Sequence, residues 1–276
     1  MGDDGKNTDM KYKMLVLDLD DTLLRDDHSI SARNKEMLMK AQEQGVYVVL
    51  ASGRPTPAML QYAEELDLKK YGSYIISYNG AVITDLTKQA NIFEQCLSKE
   101  QIHSLHDFSM ANNVDIITYT ADSIISETCS KYIDVELEIT QMKFNKVDCF
   151  KTAVTESAVK CLLLEEPEYL KTVETKLKKE KPNKSVALSK PFFLEVMPQG
   201  IDKAASIARL AEKLGICQEE IIAVGNAGND LTMVEYAGLG VWVDNVTPEL
   251  RDRADVIVAS NNDHGVAEVV EKYIMA

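Results

Sequence analysis

An apolar run that stops abruptly on acidic residues is the feature that most constrains this chain. Met14-Leu15-Val16-Leu17 leads directly into Asp18-Leu19-Asp20-Asp21-Thr22. A short continuous apolar run bounded by a polar cluster reads as a strand buried on both faces, the kind found in parallel sheets. In open α/β sheets the ligand crevice lies beyond the carboxyl ends of the strands, which is where these carboxylates emerge. If the extended path continues, Asp18 and Asp20 point the same way. Two like charges converging on one point repel unless a cation joins them or one is protonated. Oxygen ligands alone favour a hard ion such as Mg²⁺. Taken by itself, the pentapeptide fits equally well a solvated acidic turn in which Asp21 or Thr22 caps a helix.

The segments that follow alternate in the same style. Ser29 or Ser31 can cap a helix running to about Gln44, ended by Gly45, and residues 46–50 form a second apolar run reaching Ala51-Ser52-Gly53-Arg54. A helix is expected over 57–66 and a third strand over 74–77. Asn79-Gly80 between short apolar runs signals a hairpin. The texture changes from about residue 85 to 190, where helical stretches near 98–112 and 167–180 interleave with strands that end in no catalytic-looking cluster. Residues 193–197 read as a return to the first sheet, followed by a helix over 202–214, a strand over 221–224, a short helix over 231–236 and three further core segments. The expected fold is α/β: a Rossmann-like parallel sheet with helices on both faces, built from 1–84 and 191–276, with 85–190 inserted as an α+β domain.

Four short motifs, in order, resemble those of the haloacid dehalogenase-like (HAD) phosphohydrolases. Asp18-Leu19-Asp20-Asp21-Thr22 is similar to the first, Ala51-Ser52-Gly53-Arg54 to the second, and Lys203 in Gly200-Ile201-Asp202-Lys203 to the third. Gly225-Asn226-Ala227-Gly228-Asn229-Asp230 is similar to the fourth. Their order and spacing resemble the Cof-type branch, whose large cap domain lies between the second and third motifs. The resemblance implies a Mg²⁺-dependent phosphohydrolase acting on small phosphorylated metabolites such as sugar phosphates through an aspartyl-phosphate. Asp18 is then the nucleophile, and Asp20 protonates the leaving alkoxide and later deprotonates the hydrolytic water. Leu19 (through its amide), Ser52, Gly53, Lys203 and Asn229 are expected to contact phosphate. Asp18, Asp20 (through its backbone carbonyl) and Asn226 are expected to hold the metal. Asp230 and Thr22 are supporting residues, and Arg54 either guides an anionic substrate or braces its loop.

Asn226 departs from the family pattern, which usually has a metal-binding aspartate there. An amide keeps an oxygen but removes a charge, and cation affinity follows ligand charge. The expectation is a working but weaker metal site. Two alternatives stay open: a phospho-ligand-binding or regulatory protein with weakened turnover, and a phosphomutase using the same aspartyl-phosphate.

Composition narrows the partners. A net charge of −14 and a pI near 4.8 exclude sequence-independent nucleic-acid binding and require local cations at any phosphate site. Five cysteines without close pairing point to reduced thiols rather than a disulfide framework or zinc site. No run approaches membrane-spanning length, and the polar first nine residues are expected to fray, so a cytoplasmic protein is expected. His103 and His106 are read as surface residues, His28 as the histidine nearest the site, and Tyr119, Tyr132 and Phe144 as core.

Overall fold

In the computed structural model, residues 10–120 and 122–276 are described; the expected fraying of the first nine residues lies outside them. The chain divides into two compact units, 1–52 with 59–92 and 202–276, and 53–58 with 93–201.

The first unit opens with β1 (Met14–Leu17), every residue of which is fully buried. Its helix α1 (Ala32–Glu43) is capped by Ser31, whose hydroxyl accepts from the Asn34 amide at 3.1 Å. Then come β2 (Tyr47–Ala51), α2 (Leu60–Glu65), β3 (Tyr74–Ser77), β4 (Val82–Asp85) and β5 (Ala90–Glu94). A 3₁₀ turn over Thr56–Met59 takes the first turn of the helix expected from Pro57. β3 and β4 form an antiparallel pair, with Tyr78–Gly80 turning between them.

The second unit holds α3 (Lys99–Ala111), β6 (Asp115–Tyr119), β7 (Ser123–Ser126), α4 (Lys131–Thr140), β8 (Lys143–Lys146), α5 (Phe150–Ala153), β9 (Cys161–Leu164), α6 (Pro167–Glu180), β10 (Lys184–Lys190) and β11 (Phe193–Pro198). Its six-stranded sheet runs β10-β11-β9-β6-β7-β8, antiparallel except for β7 and β8. Strand alternation separates its two faces. Cys161, Leu163, Leu194 and Val196 pack with Ile102, Leu105, Leu170 and Val173 of α3 and α6. Lys160, Leu162 and Glu195 alternate with them.

β11 corrects the expectation that residues 193–197 belong to the first sheet, since it pairs with β9 and β10. The units meet in the chain at 92/93 and 201/202, later at both crossings than 85 and 190. A strand buried on both faces has the same apolar signature in either sheet, so only pairing decides its membership.

His106 is also corrected: it is buried and stacked on Phe150, ring centroids 5.0 Å apart and planes within 7°. Its Nε2 lies 3.4 Å from Glu127 Oε2, but neither ring nitrogen has a partner with hydrogen-bond geometry. His103 is half-buried, with Nε2 2.8 Å from the Val154 carbonyl.

The chain returns to the first unit through α7 (Lys203–Leu214), then β12 (Ile221–Gly225), α8 (Leu231–Tyr236), β13 (Leu239–Val243), β14 (Val256–Val258) and α9 (Gly265–Tyr273). The eight-stranded sheet runs β14-β13-β12-β1-β2-β3-β4-β5. It is parallel from β14 to β3. α1 and α9 pack together over Leu15, Leu17, Val48 and Leu50, while α7 and α8 form the other helical pair. From β1 the chain builds outward through β2 and β3, then returns to lay β12 on β1's other side. β1 and β12 therefore flank the switch point at which α/β sheets open a crevice. All five cysteines are free, and no described helix is long and apolar enough to cross a membrane.

Candidate active site

Register alone assembles most of the site. Leu17 pairs with Val224 on one side and Leu50 on the other, so Asp18, Gly225 and Ala51 leave the sheet at one level. The Asp18 amide still donates to the Val224 carbonyl at 3.0 Å, which anchors its side chain at the strand end. Beyond it the chain turns sharply: Asp21 has φ +57°, and the Leu24 amide closes back on the Leu19 carbonyl at 2.9 Å. That turn buries Asp18, Leu19 and Thr22 but leaves the Asp20 side chain 42% exposed. Asp20 is close enough to add to the electrostatic repulsion felt by Asp18. His28 Nδ1 lies 3.9 Å from Asp20 Oδ1 on an exposed loop.

Lys203 arrives from α7. Asp202 caps this helix by accepting from the Ala205 amide at 2.9 Å, and Gly215 ends it at φ +66°. Helical spacing puts Lys203 on the same stripe as buried Ser206, Ile207 and Leu210, so a lysine occupies a core-facing position. Its ammonium lies 2.6 Å from Asp18 Oδ1 and 2.6 Å from Asp230 Oδ1. Burial pulls the Lys203 ammonium down, yet the two carboxylates hold it above its ordinary value. Asp230 is fully buried and spends its second oxygen on the Asn226 and Ala227 amides, at 3.0 and 3.1 Å. One carboxylate thus fixes both the lysine and the loop that carries Asn226.

Thr22 completes the cluster. Its hydroxyl lies 3.2 Å from Asp18 Oδ2 and 3.1 Å from Asn226 Oδ1, and its single proton serves one of them at a time. The two oxygens therefore converge on a common region. Two buried carboxylates face one ammonium, leaving an uncompensated negative charge. Burial, then Asp230, pushes the Asp18 carboxyl up to about 7 against the pull of Lys203. A hard divalent cation relieves that charge, and a carboxylate with an amide oxygen suits it. Among the described residues no group of three His, Cys, Asp or Glu side chains is placed to hold a metal. The donor set fits Mg²⁺, with less charge than a full carboxylate set.

The structure thus brings Asp18, Thr22, Lys203, Asn226 and Asp230 together, and places Leu19 and Asp20 on the turn beside them. Ser52 is buried at the end of β2, its amide donating to the Ile76 carbonyl at 2.9 Å. Asn229 is exposed, its amide 3.4 Å from Asn79 Oδ1. Gly53 and buried Arg54 group instead with the second unit.

The Asn79-Gly80 turn, read from the sequence only as a hairpin, proves to support the site. The Asn79 amide holds the Ser52 carbonyl at 2.9 Å, and Ser206 of α7 donates to the Gly80 carbonyl. A Cβ on Gly80 would lie 2.4 Å from the Asp202 carbonyl oxygen, and its φ is +107°. Gly80→Ala should therefore displace the first turn of α7 and cost about 1–3 kcal/mol. Gly200→Ala, at φ +78° with nothing within 4 Å, should cost about 1–2 kcal/mol from backbone strain alone. Thermal melts check this, and equal losses at both positions would show that the close approach to α7 is inconsequential.

Residues 15–270 match the family model described as haloacid dehalogenase-like hydrolase. The chain is 30% identical over 268 residues to the Bacillus subtilis (strain 168) 5-amino-6-(5-phospho-D-ribitylamino)uracil phosphatase YcsE, covering 97% of this chain and 98% of that one. A solved haloacid dehalogenase-like hydrolase from Bacteroides thetaiotaomicron superposes with TM-score 0.90 at 38% identity, covering 95% and 99% of the two chains. TM0651 from Thermotoga maritima superposes with TM-score 0.83 at 29% identity, covering 95% and 97%. With its motifs in register on the matching fold, the chain belongs to the haloacid dehalogenase-like hydrolase family.

Proposed function

We propose that this enzyme is a Mg²⁺-dependent phosphatase that removes phosphate from small phosphorylated metabolites through an aspartyl-phosphate on Asp18. The observation that carries the reading is the buried Asp18 carboxylate at the switch-point strand end, with Lys203 on one oxygen and Thr22, itself beside Asn226 Oδ1, on the other. Phosphatase activity is also what the family and the names of the relatives support. Nothing favours a mutase or a binding-only protein.

Asp18 attacks phosphorus while Lys203 holds its other oxygen and prevents it from swinging away. The Leu19 and Gly53 amides, the Ser52 hydroxyl, Lys203 and Asn229 receive the phosphoryl oxygens. Asp20, the more exposed of the two aspartates, donates a proton to the departing alkoxide and takes one from the incoming water. The Asp18 carboxylate, the Asp20 backbone carbonyl and the Asn226 amide oxygen would hold Mg²⁺. Bound there, the ion neutralises charge on the nucleophile and the phosphoryl group. The second unit acts as the cap that chooses the leaving group.

A panel of phosphorylated metabolites assayed for phosphate release, with Mg²⁺ and with chelator, tests the reading. No release from any member at saturating Mg²⁺ would leave only ligand binding.

Asn226 makes the metal assignment separately testable. Asn226→Asp adds a charge to the ligand set and should lower the Mg²⁺ concentration for half-maximal rate by roughly tenfold. The rate at saturating metal should change less. A Mg²⁺ titration of both proteins on one substrate decides it, since identical half-saturation removes position 226 from the ligands.

A further inference from the structure

Two loops of the first unit that carry none of the motifs grip the turn bearing Asp20. One follows β13 and presents Asn245; the other follows β14 and presents Asn261 and Asn262. β12, β13 and β14 run parallel to β1, so both loops emerge at the sheet edge where Asp18 leaves its strand. Asn245 Nδ2 donates to the Asp21 carbonyl at 2.7 Å, and its Oδ1 accepts from the Asn261 amide at 3.1 Å. The Asn261 side chain is 2% exposed and reaches the same segment twice. Its Nδ2 donates to the Leu24 carbonyl at 3.0 Å and to Asp26 Oδ1 at 3.1 Å. Asn262 Oδ1 accepts from the Asp26 amide at 3.3 Å.

The turn has a reason to be gripped. Asp21 lies at φ +57° and ψ +14°, a left-handed conformation that is costly for a side chain bearing a Cβ, though less so for aspartate than for most. From inside, the turn is closed by the Leu23 amide on the Asp18 carbonyl at 3.3 Å and the Leu24 amide on the Leu19 carbonyl at 2.9 Å. The chain before Asp18 is fixed in β1, and the asparagines fix the chain at Asp21 and Leu24. Were Asp21 to relax to a negative φ, the planar peptide joining it to Asp20 would swing with it. That peptide holds the Asp20 carbonyl, and the Asp20 carboxyl rides on the same backbone.

We propose that Asn245 is a positioning residue for the acid–base step: by holding the Asp21 carbonyl it keeps the strained turn closed, and so keeps the Asp20 carboxyl where the leaving oxygen needs a proton. This rests on the phosphatase reading, in which Asp20 is the proton donor. Asn261 supports Asn245 from behind through its backbone amide and pins the far end of the turn itself.

The test exploits the leaving group. An alkoxide needs a proton to depart, whereas 4-nitrophenolate leaves readily without one. The ratio kcat/KM reports the steps through that departure. Asn245 is exposed, so Asn245→Ala should fold. At saturating Mg²⁺ it should lower kcat/KM by about tenfold for the best alkyl phosphate of the metabolite panel, the scale of one lost hydrogen bond. For 4-nitrophenyl phosphate the loss should stay below about threefold, since protonation contributes little there. Equal losses on both substrates would overturn the proposal, because a general loosening of the site does not distinguish leaving groups. Asp21→Gly supplies a second comparison, as glycine adopts the left-handed conformation without the Cβ penalty. In that background Asn245→Ala should cost clearly less; the same tenfold loss in both backgrounds would overturn the strained-turn account. Hydrogen exchange gives a readout that needs no turnover. The Leu23 and Leu24 amides should exchange faster in Asn245→Ala, and unchanged exchange would show that Asn245 does not hold the turn. Failure of the unaltered protein to release phosphate from any substrate would refute the phosphatase reading, while exchange still decides whether Asn245 keeps the turn closed.

Discussion

Asp18→Asn should fold, bind Mg²⁺ more weakly and lose turnover by roughly 10³–10⁶-fold, the scale on which removal of a nucleophile is felt. The amide is nearly isosteric with the carboxylate, so the strand end and the Thr22 contact persist, but a neutral amide does not attack phosphorus. Asp20→Asn should slow the reaction by about 10²–10⁴-fold, the usual worth of acid–base assistance. A second consequence distinguishes lost chemistry from lost structure. Without metal the folded Asp18 carboxyl sits near 7, raised from an ordinary 3.8 mainly by burial and by Asp230. For an acid raised on folding, the stabilising contribution is complete below the unfolded value and is lost as pH climbs through the folded one. At pH 8 in chelator the unaltered protein therefore bears the full penalty of a buried charge. Asp18→Asn should melt higher there, by an amount on the order of a few kcal/mol that shrinks toward pH 4. Turnover in Asp18→Asn near the normal rate would refute the covalent route. A variant that melts lower at pH 8 would refute the account of the site's charge.

Lys203→Met should damage both fold and reaction. Its ammonium is the shared counter-charge of two buried carboxylates, at 2.6 Å from each. Removing one partner from such a cluster leaves uncompensated charge and costs about 3–5 kcal/mol. The loop carrying Asn226 should loosen too, because Asp230 holds the lysine with one oxygen and that loop's amides with the other. Neutralising the orphan with Lys203→Met and Asp230→Asn should recover much of the melting temperature. It should not recover the rate, which loses about 10²–10³-fold when a preorganised charge is removed from an acyl- or phosphoryl-transfer site. Lys203→Arg is not a rescue: a planar fork cannot occupy the point between two carboxylates that a compact ammonium fills. Full turnover in Lys203→Met would mean that the cluster is structural only.

Much of this was legible in the chain itself because its causes are local. The apolar run 14–17 ending on Asp18, the Ser31 cap, the helix over 202–214 and the Gly225-Asn226 loop each depend on a few adjacent residues. The alternation of such segments implies a parallel sheet, and in-register parallel strands deliver their ends to one edge. The grouping of Asp18, Lys203, Asn226 and Asp230 follows from that geometry with the motif positions. Pairing partners were decided only in three dimensions. β11 carries an apolar run with Glu195 in its middle; nothing in those residues says which sheet accepts it, and Lys160, two residues before Glu195's register partner Leu162, makes the buried glutamate tolerable. His106 has a surface-helix spacing, yet Phe150, forty-four residues later, covers its ring. The Asn79-Gly80 dipeptide announced a turn, but its close approach to Asp202 needs α7 to be in place. Periodicity records whether a side chain is buried; only the packed tertiary structure determines against what.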